Sequence, residues 1–259
     1  MEINTKEAFE HLGHAPIIEA VIDIRCVPQN DWREEPVKDG LSKVLLDYSQ
    51  METQVQGKIS LGPLPGALAQ GSGGTATIDW EGYRLRSSTA PQLCQFTRGG
   101  FLFSRLSPYS NWAEFSKEAL RLWEVHRSIA RPASIQRVGV RFINRILTPA
   151  EGLRTEDVYT SSPTAPKGLE VLLAGFLSHE TWKVPGHNYG LNLIKTIQSV
   201  PGQSPTNVGL FVDVDVFTAE DQIPVEDNGV LARRLDEMHW LKNKAFFGSI
   251  TSSQKERLR

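Results

Sequence analysis

Seven side chains carry the chemistry this sequence could perform. Glu19 and Asp23 stand four apart in IIEAVIDIRC (17–26), and Asp213 and Asp215 stand two apart in NVGLFVDVDVFT (207–218). Both stretches alternate at the two-residue period of a β-strand, so each acidic pair shares a face. Carboxylates converging on a sheet offer hard oxygen ligands to Mg²⁺, which would make the chain a metal-dependent phosphodiesterase. Arg137, Arg141 and Arg145 recur at four-residue spacing in IQRVGVRFINRIL (135–147), about 13 Å from each to the next at roughly 3.3 Å per residue. Their planar forks match phosphate or carboxylate in bidentate fashion, which would make the face an anion site and the chain a sensor of a phosphorylated ligand. A third arrangement is chemically inert. Asp213 and Asp215 would face Arg137, Arg141 or Arg145, and Glu19 and Asp23 would face Arg84 and Arg86, each pair contributing about 0.2–1 kcal/mol. The spacing favours this last arrangement, because no third ligand type at a fixed interval joins the carboxylates.

The elements that must position these residues follow from periodicity. In 135–147, Val138, Val140, Phe142 and Ile146 form a core face opposite the arginines, and in 17–26 Ile18, Ala20, Ile22 and Ile24 do the same. Asp31 and Glu34 are spaced as a capping box for a helix with Val37, Leu41, Val44, Leu45 and Tyr48 on one stripe, ending near Ser49. A strand is predicted over 55–61 and a loop over 62–74. Four short strands follow at 75–80, 83–88, 93–98 and 101–106, divided by turns at Glu81-Gly82, Ala90-Pro91 and Gly99-Gly100. Asn111 and Glu114 open a long helix carrying Trp112, Phe115, Ala119, Leu122, His126 and Ile129, and Pro132 closes it. Leu169, Leu172, Leu173, Phe176 and Leu177 predict another helix. Three strands punctuated by Pro185-Gly186 and Pro201-Gly202 come next, then a helix over 228–244 that buries Leu231, Leu235, Met238 and Leu241, with Phe246 and Phe247 packing after it. This element order predicts an α+β fold of two pseudo-repeated halves (β-α-β-β-β-α), each a curved antiparallel sheet on a long helix. The halves would be 1–131 and 132–259, fused into one domain if the central strand pairs with strands of the first half.

The remaining motifs subtract. With 259 residues, net charge −2, 40% hydrophobic and 22% charged residues, the composition is that of an ordinary globular protein and lacks the basic excess usual in nucleic-acid binders. The two cysteines, Cys26 and Cys94, form no framework or zinc spacing, and the first 14 residues lack a signal-peptide core, so a cytoplasmic protein without membrane spans is expected. The six histidines complete no metal set and read as surface residues. GSGGT (71–75) lacks the lysine and following helix of a phosphate loop, neither cysteine has a neighbouring histidine, and no G-x-S-x-G elbow exists. No cofactor is implied, and Trp112, Trp123 and Phe115 read as core.

Several short patterns, in order along the chain, resemble a sporadically distributed bacterial family of about 260 residues without an assigned function. They are 15–20 (APIIEA), Pro108-Tyr109 with Trp112 and Phe115, 137–146 (RVGVRFINRI), Asp213-Val214-Asp215, and 242–247 (KNKAFF) followed by Ile250-Thr251. Phe142 stands where the family more often has Tyr. The resemblance implies an α+β architecture, a bacterial origin and, since some members are encoded near defence genes, a role beside a partner protein; it carries over no catalytic residue. The function expected from sequence is therefore non-enzymatic: an accessory or regulatory protein of a defence or toxin–antitoxin-like operon, bound to another protein and free to form a homodimer.

Overall fold

The stretch 135–147 lies inside β6 (Ser134–Pro149), whose buried residues alternate as Val138, Val140, Phe142, Asn144 and Ile146. The computed structural model describes residues 1–29, 32–60, 75–171, 173–200, 202, 206–218, 225 and 228–259. β1 (Ile17–Val27) runs antiparallel to β6 from Ile17 opposite Asn144 to Val27 opposite Ser134, putting the apolar faces of both strands on one side. The other strands are β2 (Gln50–Ser60), β3 (Thr75–Arg86), β4 (Gln92–Thr97), β5 (Gly100–Leu106), β7 (Leu177–Lys183), β8 (Tyr189–Ser199) and β9 (Asn207–Thr218). All nine form one antiparallel sheet in the order β2-β3-β4-β5-β1-β6-β9-β8-β7.

The expectation of two repeated halves, each with its own curved sheet, is overturned by this sheet. β1 is paired by β5 on one side and β6 on the other, and β6 continues to β9, so no free edge separates a first sheet from a second. The element order differs too. Four strands, β2 to β5, lie between the first two helices, whereas no long helix separates β6 from β7 among the described residues. The segment 169–177 shows the reason: Leu169, Val171 and Leu173 are 40–57% exposed and non-helical, Leu177 is 72% exposed at the start of β7, and of the described stripe Phe176 alone packs on the core, too little burial to hold a helix. Leu172 lies outside the described residues.

One face of the sheet is covered by α1 (Glu34–Val44), α2 (Trp112–Ala130) and α3 (Asn228–Ser249). α1 buries Val37 and Leu41 but leaves Val44 exposed and ends five residues before Ser49; Asp31, its expected cap, lies outside the described residues. α2 begins as expected, the Asn111 side chain accepting the Glu114 N–H at 2.9 Å. α3 runs past Lys244 to Ser249, and a further helix, α4 (Ser252–Leu258), is capped by the Thr251 hydroxyl. No helix is long and apolar enough to cross a membrane, among the described residues.

The turn expected at Glu81-Gly82 is a β-bulge inside the continuous strand β3. Gln54 pairs with Gly82 and Val55 with Trp80, leaving Glu81 as the extra residue. A Cβ on Gly82 would lie 1.9 Å from the carbonyl oxygen of Phe96 on β4, so backbone must shift to admit one. Gly82→Ala is therefore expected to cost about 3 kcal/mol, a value at the upper end of overpacking penalties, read from the midpoint of urea unfolding.

Candidate functional site

The sequence-predicted residues meet on the face of the sheet away from the helices, where β1, β6 and β9 lie side by side. Arg137 folds back along β6 over Gly139, where a Cβ would come 2.8 Å from its Nη1. From there Nη1 donates to Asp23 on β1, Nη2 donates to Asp215 on β9 at 3.1 Å, and the guanidinium carbon sits 5.2 Å from the Phe217 ring centre. Asn192 of β8 donates to the same Asp215 carboxylate at 3.3 Å. Arg141 grips Asp213 in a bidentate pair, Nε to Oδ1 at 2.9 Å and Nη2 to Oδ2 at 2.5 Å, and this bond holds the guanidinium above its ordinary pKa. Burial raises the Asp215 carboxyl against the pull of Arg137. Glu19 accepts from the buried Ser104 hydroxyl of β5. Arg145 forms no ion pair among the described residues, and its Nε is buried without an acceptor.

The lone pairs of Asp23, Asp213 and Asp215 thus meet guanidinium donors, and a divalent cation would have to displace arginine to reach them. Among the described residues no three His, Cys, Asp or Glu side chains are grouped as a metal set. The pairing of Glu19 and Asp23 with Arg84 and Arg86 does not form, because β4 and β5 separate β3 from β1; Arg86 instead lies 3.6 Å from Glu52 of β2.

A second site, at the junction of the helical layer with the chain entering β1, went unread in the sequence. It is a cleft of about 510 Å³. α3 contributes Lys242 and His239, β6 contributes Asn144, and the turn before α2 contributes Tyr109. The first 14 residues, which form no helix, make the outer wall. They are tied down by Phe9 stacked on Phe247 at 5.6 Å, by Glu7 accepting from Trp240 at 2.8 Å and Lys244 at 2.5 Å, and by Glu10 paired with Arg259.

Lys242 is only 5% exposed and forms no ion pair among the described residues. Its Nζ donates to the side chain of Asn243 at 2.5 Å and rests 3.8 Å from the Phe142 ring centre. Lys195, the other buried lysine in the described core, donates to the Ser161 carbonyl at 3.0 Å and has Glu180 at 3.9 Å. Without a counter-charge, burial lowers the Lys242 amine from 10.5 to about 7. The Tyr109 ring packs edge-on against the same Phe142 at 5.3 Å, and its buried hydroxyl has no hydrogen-bond partner. His239 stacks on Trp112 at 4.2 Å and accepts from Asn243 Nδ2 at 3.4 Å; burial, then the Lys242 charge, lowers it to about 3.

The sequence signal for this site lies in the stripe of α3. Leu231, Leu235 and Met238 follow one another at i, i+4 and i+7, and the next position of that stripe is Lys242. A lysine on an apolar stripe is the mark of a buried cation. The expected stripe continues from Met238 to Leu241 and so passes over Lys242, although both are buried.

The histidines also depart from expectation. His126 is fully buried, with Nε2 bonded to the Thr97 carbonyl at 2.9 Å and Nδ1 unpartnered, and burial lowers it from 6.5 to about 4. The unfolded chain binds the proton first, so stability present above pH 6.5 is lost as pH falls toward 4. His126 alone is expected to contribute about 3 kcal/mol to that loss, and His126→Gln is expected to flatten the fall of the urea midpoint between these pH values.

A larger hollow of about 870 Å³ lies beside the segment 162–174, but its charged wall residues, Arg154 and Glu156, are exposed and paired with each other at 2.9 Å. The cleft at Lys242 is smaller and holds the unanswered charge, which makes it the better candidate. GSGG (71–74) of the phosphate-loop-like stretch lies outside the described residues. Comparison with models of known protein families, with curated proteins and with solved structures returns no match for this chain.

Proposed function

We propose that the chain is a cytoplasmic regulatory binding protein, a sensor that takes a small amphipathic organic molecule into the Lys242 cleft and acts on a partner protein. The observation that carries this reading is the buried amine of Lys242 on the wall of a cavity large enough for a metabolite, with no carboxylate paired to it among the described residues. Stretches that carry much of the resemblance to the bacterial family supply part of its lining, with Pro16, Tyr109, Trp112, Asn144, Lys242 and Phe246 among them. A setting in a defence or toxin–antitoxin-like operon rests on that resemblance. The phosphodiesterase and the arginine-face sensor are less well supported, since three of the four acids and two of the three arginines they need are bonded to one another. For the partner protein, β7 offers the outermost strand of the sheet, with Leu177 72% and Trp182 54% exposed.

The test uses Trp112, which lines the cleft. Titration with 2-phenylethanol is expected to change wild-type tryptophan fluorescence saturably in the millimolar range, and Trp112→Phe to remove that change. A linear, unsaturable response in the wild type contradicts the reading.

A further inference from the structure

We propose that the ligand of this cleft is an organic monocarboxylate, its acid group bonded to Lys242 and Tyr109 and its apolar body held among the aromatic walls. The inference rests on the cleft being a ligand site and names the chemistry of its occupant.

Two donors on one ring carry it. The Lys242 amine and the Tyr109 ring both pack on Phe142; among the described residues the amine lacks a counter-ion and the Tyr109 hydroxyl lacks any hydrogen-bond partner. A buried cation without an anion is costly, and a buried hydroxyl without a partner adds to the cost. A single carboxylate removes both penalties, since one oxygen can accept from the ammonium and the other from the phenol. One cation argues for one negative charge, and so for a carboxylate over a phosphate dianion. The rest of the wall includes Phe9, Trp112, Phe246 and Phe247, which suit an aromatic or aliphatic body.

The remaining titratable groups of the lining do not supply the missing anion. His239 is neutral, Glu10 is engaged by Arg259, and His11 and His14 lie on the first segment with Glu10; of β6 the lining holds Asn144, with Phe142 against Lys242. Carboxylate binding therefore draws a proton onto Lys242 wherever the free amine is neutral, while a neutral ligand of the same shape draws none.

The experiment compares phenylacetate, 2-phenylethanol and phenyl phosphate by isothermal titration of the wild type, Lys242→Met and Tyr109→Phe between pH 7.5 and 9, above the ordinary histidine range. Phenylacetate is expected to bind tightest. Its affinity is expected to fall by up to tenfold per pH unit across this range, to drop about 30-fold or more in Lys242→Met, and to weaken several-fold in Tyr109→Phe. The affinity of 2-phenylethanol is expected to stay flat with pH and to survive both substitutions. Equal affinity for phenylacetate and 2-phenylethanol, or tighter binding of phenyl phosphate, overturns the monocarboxylate and leaves the cleft as a ligand site. Binding of none of the three overturns both. A further arm adds phenylacetaldehyde with cyanoborohydride: a covalent adduct on Lys242 that forms while phenylacetate fails to bind would assign the amine to imine formation and overturn the proposal.

Discussion

Lys242→Met is expected to yield a protein more stable than the wild type. Methionine fills nearly the same space on α3 and keeps the apolar contact with Phe142, while removing a charge that the fold buries without an anion. Lowering the amine from 10.5 to about 7 corresponds to roughly 5 kcal/mol of penalty on the charged form, an upper bound on the gain at neutral pH. The sign with pH follows from proton counting. Between about 7 and 10.5 the unfolded chain holds the Lys242 proton and the folded chain does not, so this group makes the wild type more stable as pH rises through that window. Below pH 7 both states hold the proton and the penalty is constant. Urea unfolding of wild type and variant in parallel is expected to show the largest gap at pH 7 and below, narrowing by about 1.4 kcal/mol per pH unit above it. Comparing the two proteins cancels the buried thiols of Cys26 and Cys94, which burial raises and which oppose the trend at high pH. A variant less stable than the wild type at pH 7 would mean that the ammonium is answered in the folded state.

Arg137→Met is expected to produce the largest loss on the charged face, about 3 kcal/mol. Arg137 touches both Asp23 and Asp215, with about a fifth of each side chain exposed, and removing it leaves Asp215 without its bonded cation and Asp23 with only the exposed Arg25, 3.5 Å away. Adding Asp23→Asn and Asp215→Asn is expected to restore most of the loss, because the amides need no counter-charge; a double-mutant cycle on the unfolding free energies measures the coupling. The same variant asks whether the acids hold metal. Mg²⁺ is expected to leave the wild-type Tm unchanged and to raise that of Arg137→Met, where Asp23 and Asp215 have lost the guanidinium they share. Stabilisation of the wild type by Mg²⁺ that Asp213→Asn abolishes would return the site to metal chemistry.

Strict alternation made β1, β6 and β9 readable without a structure, because a strand with one apolar face can be buried in only one way round. The Asn111 cap was readable for an equally local reason. Pairing between distant strands was not. Asp23 and Arg137 are 114 residues apart, and only the adjacency of β1 and β6 brings them together, which is why Glu19 and Asp23 were matched to the wrong arginines. At 169–177 the helical spacing is present but the packing surface is absent, and spacing alone does not hold a helix in water. At Glu81-Gly82 a turn signal served as a bulge, the glycine being needed for the close approach of Phe96. Lys242 is passed over because its neighbour Leu241 completes an apolar stripe on the same helix, although the step from Met238 to Lys242 is equally helical and both residues are buried.

The Lys242 amine is buried with no anion paired to it among the described residues. A direct measurement is the titration of its ε-carbon resonance by ¹³C NMR, assigned by its disappearance in Lys242→Met. The account predicts a midpoint near pH 7 that moves upward when phenylacetate is added. A midpoint at the ordinary lysine value near 10.5, unmoved by the ligand, would contradict it.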